Sequence, residues 1–150
     1  PTQPSALEQH GCFPMKKITP LITVSAIEPC LSFWNGLGFE VTAQVPHEGA
    51  LGFVMLTHGD LVVMYQSEAS VQADLGESGA PEGMAREMAR STVTLFVELG
   101  DLHDIRDAMD GYDVVGPRRQ TFYGMDEIFV RAPCGTVVGF AARTGEDEGN

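Results

Sequence analysis

Basic residues are scarce in this chain: nine Lys and Arg against 21 Asp and Glu give a formal net charge of −12. A surface of that sign repels phosphate backbones, which argues against nucleic acid as a partner. Long apolar runs are missing as well, so no membrane span is expected. The first residues lack the basic-then-apolar order of a signal peptide, and a cytoplasmic location is the expectation. Cysteine is rare: Cys12, Cys30 and Cys134 are an odd number without CxxC spacing, from which free thiols in a reducing compartment are expected. Neither Cys30 nor Cys134 has a histidine near it in sequence, so nothing local marks a thiol nucleophile. No two of the histidines (His10, His47, His58, His103) stand at i, i+4 or i, i+2, the spacings that put two ligands on one helix or strand face.

What is present is ordinary globular composition, 43% hydrophobic and 20% charged over 150 residues. A chain of this length buries about 70% of its unfolded surface and needs no staples, as one domain or as two small modules sharing a core. Part of the acidic excess lies in the terminal "GEDEGN" and serves solubility; the alternative is attraction of a cationic ligand.

The chain carries a repeat. "PCGTVVGF" at 133–140 parallels "HGDLVVMY" at 58–65, offset by 75 positions. Around the first copy, "ITPLITV" (18–24) reads as a strand. "SAIEPCLSFWNGLGF" reads as a helix with Ser25 as cap, Pro29 in the first turn, Ile27, Leu31 and Trp34 at helical spacing, and glycines at its end. "FEVTAQV", "GFVMLT" and "DLVVMYQ" follow as strands, the last two as a hairpin turning at His58-Gly59. The order recurs as strand "TVTLFVEL" (92–99), helix "DLHDIRDAM" (101–109), then "YDVVG", "EIFVRA" and "TVVGFAA". The expected organisation is a flexible arm (1–15), module one (16–67), a polar connector (68–90) with a short helix in "MAREMA", module two (91–143) and an acidic tail (144–150). Paired modules of this kind imply an α+β fold: two tandem βαβββ units whose curved mixed sheets surround a shared concave cavity.

On "ITPLITVSAIEPCLSFWNGLGFEV" and "FYGMDEIFVRAPCGTVVGF" the chain resembles the vicinal oxygen chelate superfamily over about residues 16–143. That superfamily includes glyoxalase I, extradiol dioxygenases, fosfomycin-resistance transferases and bleomycin-resistance proteins. The resemblance implies a homodimer. It also implies, for metal-using members, one ligand on the first and one on the last strand of each module. Those positions are Thr19, Thr94, Met64 and Gly139 here, and none offers the imidazole or carboxylate such a site needs. No metal and no other cofactor is therefore expected.

Strand alternation gives the lining of the cavity. With Thr19 and Thr94 inward, so are Leu21, Thr23, Phe96 and Glu98. With Met64 and Gly139 go Val62, Gln66 and Val137, and across the hairpins Phe53, Met55, Glu127 and Phe129, with Tyr123 and Met125 extending the row. The opposite parity (Ile22, Val24, Val63, Leu95, Val97, Ile128, Val130, Val138) is aliphatic throughout and suits packing under the helices. The candidate ligand-binding set is Phe53, Met55, Met64, Thr94, Phe96, Tyr123, Met125, Glu127 and Phe129. Met and aromatic side chains suit a variable hydrophobic ligand and can hold a cation. Glu127 either meets the ligand or pairs internally with Arg119 or Arg131, Glu98 reads as solvated, and Trp34 reads as core.

The expected function is metal-independent binding and sequestration of a small hydrophobic molecule, cationic or aromatic, such as an antibiotic, as the bleomycin-resistance branch implies. The rivals are an enzyme of the same fold (glyoxalase-, dioxygenase- or transferase-like with a metal, or a metal-free lyase or isomerase using Glu127 or Tyr123 as acid/base) and a ligand-sensing accessory module.

Overall fold

A computed structural model describes residues 17–90 and 93–144, with the side chains of Ser78 and Asp104 left aside. The N-terminal arm, and the acidic tail beyond Thr144, lie outside the described residues.

Among the described residues, eight strands and four helices are formed, with one strand–helix–three-strand unit in each half, as the repeat implies, and two helices between the halves. Module one holds β1 (Leu21–Val24), α1 (Glu28–Gly36), β2 (Glu40–His47), β3 (Ala50–His58) and β4 (Leu61–Ser67). Two helices follow, α2 (Glu68–Ser78) and α3 (Met84–Met88). Module two holds β5 (Leu95–Glu98), α4 (His103–Ala108), β6 (Asp113–Gln120), β7 (Met125–Arg131) and β8 (Val137–Arg143). The strands form two four-stranded sheets, ordered β1-β4-β3-β2 and β5-β8-β7-β6. Each sheet is mixed: its first strand runs parallel to its last, and the other pairs are antiparallel.

The register reproduces the sequence offset. Leu21 faces Met64 and Phe96 faces Gly139, so both partners move by 75 between modules. The turn at Glu48-Gly49 has positive φ at both residues (50° and 84°), the pattern that matches the twist of a two-residue hairpin.

Helix α1 forms where Pro29 presets the first turn and Gly38, at φ 97°, lets the chain leave in a left-handed conformation. Ser25 does not cap it. The cap position is Ile27, without a side-chain bond, and the first turn is held instead by Glu28, whose Oε2 accepts the Leu51 N–H at 2.7 Å. The connector is more structured than its polarity suggests. The Ser67 hydroxyl accepts the Ser70 N–H at 3.1 Å, which starts α2, and Gly79 at φ 77° ends it.

The modules share one core. Cys30, Phe33 and Trp34 of α1 are fully buried beside Val54, Leu56 and Tyr65 of the first sheet and Ile128, Val130, Val138 and Phe140 of the second. Each such large side chain contributes about 1.5–3 kcal/mol by leaving water. These strand residues have the parity assigned above to the helix side. Polar links cross the same junction: the Trp34 Nε1–H donates to the Tyr65 hydroxyl (3.0 Å), which donates to Thr136 Oγ1 (3.1 Å). Phe33 and Tyr112 meet edge to face at 5.1 Å.

One expectation is overturned at this junction. Cys30 and Cys134 are joined by a disulfide, with Cα atoms 5.3 Å apart and 104 residues between them in sequence. The repeat brings the turn of the second hairpin onto α1 of the first module, and that proximity is invisible in local spacing.

Candidate functional site

The parity opposite to the core supplies the candidate faces. On the first sheet Phe53, Met55, Val62, Met64 and Gln66 are all half-buried, alternating with the buried Val54, Leu56, Val63 and Tyr65. Phe53, Met55 and Met64 are thus neighbours on one face, with Met55 directly opposite Met64. Gln66 closes the end of the row, its Nε2 donating to Ser70 Oγ (3.0 Å) and Asp74 Oδ2 (2.8 Å) on α2.

On the second sheet the corresponding row is Phe96, Glu127, Phe129 and Gly139. Phe129 lies between two glycines in register, Gly116 on β6 and Gly139 on β8. A Cβ at Gly139 would stand 2.5–2.9 Å from three atoms of the Phe129 ring, and one at Gly116 would stand 3.0 Å from its Cβ. The ring therefore occupies the volume that side chains at those positions would need. In module one the same three places are Ala43, Met55 and Met64, so a central Met between a small and a medium neighbour is replaced by a Phe between two bare backbones. Phe96 sits 6.4 Å from Phe129, centroid to centroid, and is half exposed.

Glu127 is the polar centre of this row. Its side chain is 2% exposed, Arg119 Nη2 approaches Oε1 at 3.5 Å, and the Tyr123 hydroxyl donates to Oε2 at 2.6 Å. Of the two internal partners foreseen, Arg119 is the one used; Arg131 pairs with Asp113 instead. The bond to Glu127 holds the Tyr123 phenol above its usual pKa, because losing the proton would break it and bring two negative charges together. Tyr123 remains about half exposed, so the pair can meet a molecule laid on the row.

The remaining candidates fall as follows. Met125 is buried at the start of β7, opposite Arg143. Thr19 and Thr94 stand just ahead of β1 and β5, and Thr94 lines a cleft of about 280 Å³ between β1 and the second hairpin. Glu98 is exposed and Trp34 is core, as read from the sequence. The rows of the two modules lie on different sheets, and the contacts joining the modules come from the other, helix-bearing faces. The role of Gly116 beside Phe129 has no signal in the sequence, where the strand is expected to end at that residue; β6 runs on through Pro117 to Gln120 and carries Arg119 to its expected partner Glu127. Among the described residues no three His, Cys, Asp or Glu side chains gather closely enough to hold a metal ion.

No protein-family model matches the chain, and no curated protein matches its sequence significantly. Solved structures do match. TioX from Micromonospora sp. ML1 aligns over 86% of this chain and 99% of its own, with a TM-score of 0.62 and 17% identity. A glyoxalase/bleomycin resistance protein/dioxygenase from Nocardioides covers 93% of this chain and 95% of its own (TM-score 0.64, 16% identity). A bleomycin resistance determinant encoded on the transposon Tn5 covers 87% of this chain and 100% of its own (TM-score 0.59, 15% identity). With two four-stranded mixed sheets in tandem and a register repeating at 75 residues, the chain has the fold of the vicinal oxygen chelate superfamily, that of glyoxalases, bleomycin-resistance proteins and dioxygenases.

Proposed function

We propose that the protein binds a small hydrophobic molecule, cationic or aromatic, without a metal, and protects by sequestering it. The observation that carries this reading is the Phe129 ring over Gly139: the position where a chelating relative would project a ligand is filled by an aromatic face. The other three matching positions are Thr19, Met64 and Thr94, whose side chains make poor partners for a hard or borderline cation. What remains is two soft rows, Phe53, Met55 and Met64 on one sheet and Phe96 and Phe129 on the other, the second edged by Tyr123 and Glu127. A net charge of −12 favours approach of a cation.

The protein acts as a homodimer in this proposal. Strands β2 and β6 are largely exposed, including Val45, Val114 and Val115, and a second copy laid along them would wall in the rows. We place it in the cytoplasm, where the Cys30–Cys134 bond has to withstand the thiol pool; alkylating thiols during lysis and counting them tests that directly.

The binding reading is tested by equilibrium titration with cationic aromatic antibiotics, intercalators and bleomycin among them, with and without a chelator. Saturable binding that survives chelation and weakens by about tenfold or more in Phe129→Ala supports it, the loss expected for one aromatic stacking face. Absence of saturable binding to every compound removes it.

The Tyr123–Glu127 contact at 2.6 Å favours one alternative, a metal-free lyase or isomerase with this pair as acid and base. A bell-shaped pH–rate profile lost in Glu127→Gln would select it over sequestration.

A further inference from the structure

Three of the nine basic side chains in this acidic protein line a single cleft. It has a volume of about 290 Å³ and lies on the helix-bearing side of the second sheet, away from the Phe129 row. Asp101, His103 and Arg106 come from α4 and the loop before it, Arg118 and Gln120 from β6, and Asp126 and Arg143 from β7 and β8. Asp126 is 7% exposed and is neutralised by Arg118, whose Nε donates to both carboxylate oxygens at 2.9 and 3.1 Å and whose Nη2 also bonds to it. The Nη1 donors of Arg118 have no partner among the described residues. Asp101 accepts the His103 backbone N–H at 2.9 Å. Arg106 and Arg143 make no ion pair among the described residues.

Three guanidinium groups against two carboxylates leave the cleft positive within a chain of net charge −12. Solubility does not require such a concentration; an anion does. Guanidinium N–H forks match phosphate oxygens two at a time, and groups from a helix and two strands can surround a tetrahedral anion. The acidic remainder of the surface repels polyanions, which restricts the guest to a small one. We propose that this cleft binds a small phosphate-bearing molecule, with Arg106, Arg118 and Arg143 as the anion contacts and Gln120 available to the attached organic group.

Inorganic phosphate and glycerol 3-phosphate, titrated into the full chain at constant ionic strength by calorimetry and followed by ³¹P NMR, test this and distinguish the free ion from its ester. The acidic "GEDEGN" follows Thr144, itself on the cleft wall, so the titration is repeated on a full-length variant carrying Glu146→Gln, Asp147→Asn and Glu148→Gln. Saturable binding in either protein is expected. It should weaken by about tenfold in Arg106→Gln and again in Arg143→Gln, the value of one charge-assisted hydrogen bond each. Arg86→Gln, on α3, should leave it unchanged. Binding to neither protein, or equal loss in Arg86→Gln, would overturn the proposal. Circular dichroism confirms that each variant is folded.

Discussion

The ring of Phe129 lies on the bare backbone of Gly139, so closely that a methyl group there would stand 2.5 Å from its edge. Gly139 does not need its glycine for an unusual φ; it needs it for space. Gly139→Ala should therefore cost about 1–3 kcal/mol, the usual penalty for overpacking. Denaturant unfolding of Gly139→Ala, Phe129→Leu and the double variant tests this through their coupling. The second change should relieve most of the first; purely additive effects would place the ring elsewhere.

The disulfide joins positions 104 residues apart and ties α1 to the second hairpin. A cross-link closing a loop of that length stabilises by about 4.7 kcal/mol when it acts mainly by restricting the unfolded chain. Cys134→Ser should lower the urea midpoint by a corresponding amount, and reductant should shift the parent but leave the variant unmoved. Coincident curves for oxidised and reduced parent would mean that the bond carries no stability.

How far the sequence discloses this depends on whether the determinant is local. The repeat is local, and "LVVMY" against "TVVGF" foretold the matching of Leu21–Met64 with Phe96–Gly139. Alternation separated Val54, Leu56 and Val130 from Phe53, Met55 and Phe129 because each strand has one wall facing the helices. Helix α2 was obscured by weak patterning, with Val71 its one buried residue among the described side chains, although the Ser67 cap and Gly79 stop were both in view. Pro117 obscured the second half of β6; a proline interrupts an interior strand, but β6 lies at the sheet edge, where a missing N–H is tolerated. The Arg119–Glu127 pair was one of two alternatives open in the sequence, while the Tyr123 bond to Glu127 depends on the turn before β7 and was not legible there. The Cys30–Cys134 bond depends on the packing of one module on the other, which no spacing rule contains.

Acid should act through Glu28. Its carboxylate accepts the Leu51 N–H and lies below its usual pKa chiefly for that reason. Because the folded value is depressed, the contribution is present above the ordinary glutamate pKa of about 4.3 and is lost as pH falls through the folded value. Glu28→Gln should therefore flatten the acid limb of a stability–pH profile and leave its alkaline limb unchanged. The carboxylate is exposed, so the effect is small and diminishes with added salt.

Alkali should act through Tyr65. Its phenol is buried, which raises its pKa, while the bonds to Thr136 and Trp34 act in the opposite direction. A raised folded pKa means that the stabilisation is complete below the ordinary tyrosine value of about 10 and is lost as pH rises through the folded one. Ultraviolet titration should show one phenol ionising only together with unfolding. Tyr65→Phe removes that late step. It also leaves the Trp34 indole N–H without its acceptor and Thr136 without its donor, at a cost of about 1–3 kcal/mol at neutral pH. A titration in which every phenol ionises while the protein stays folded would place Tyr65 in contact with solvent and break the chain of hydrogen bonds that joins the two modules.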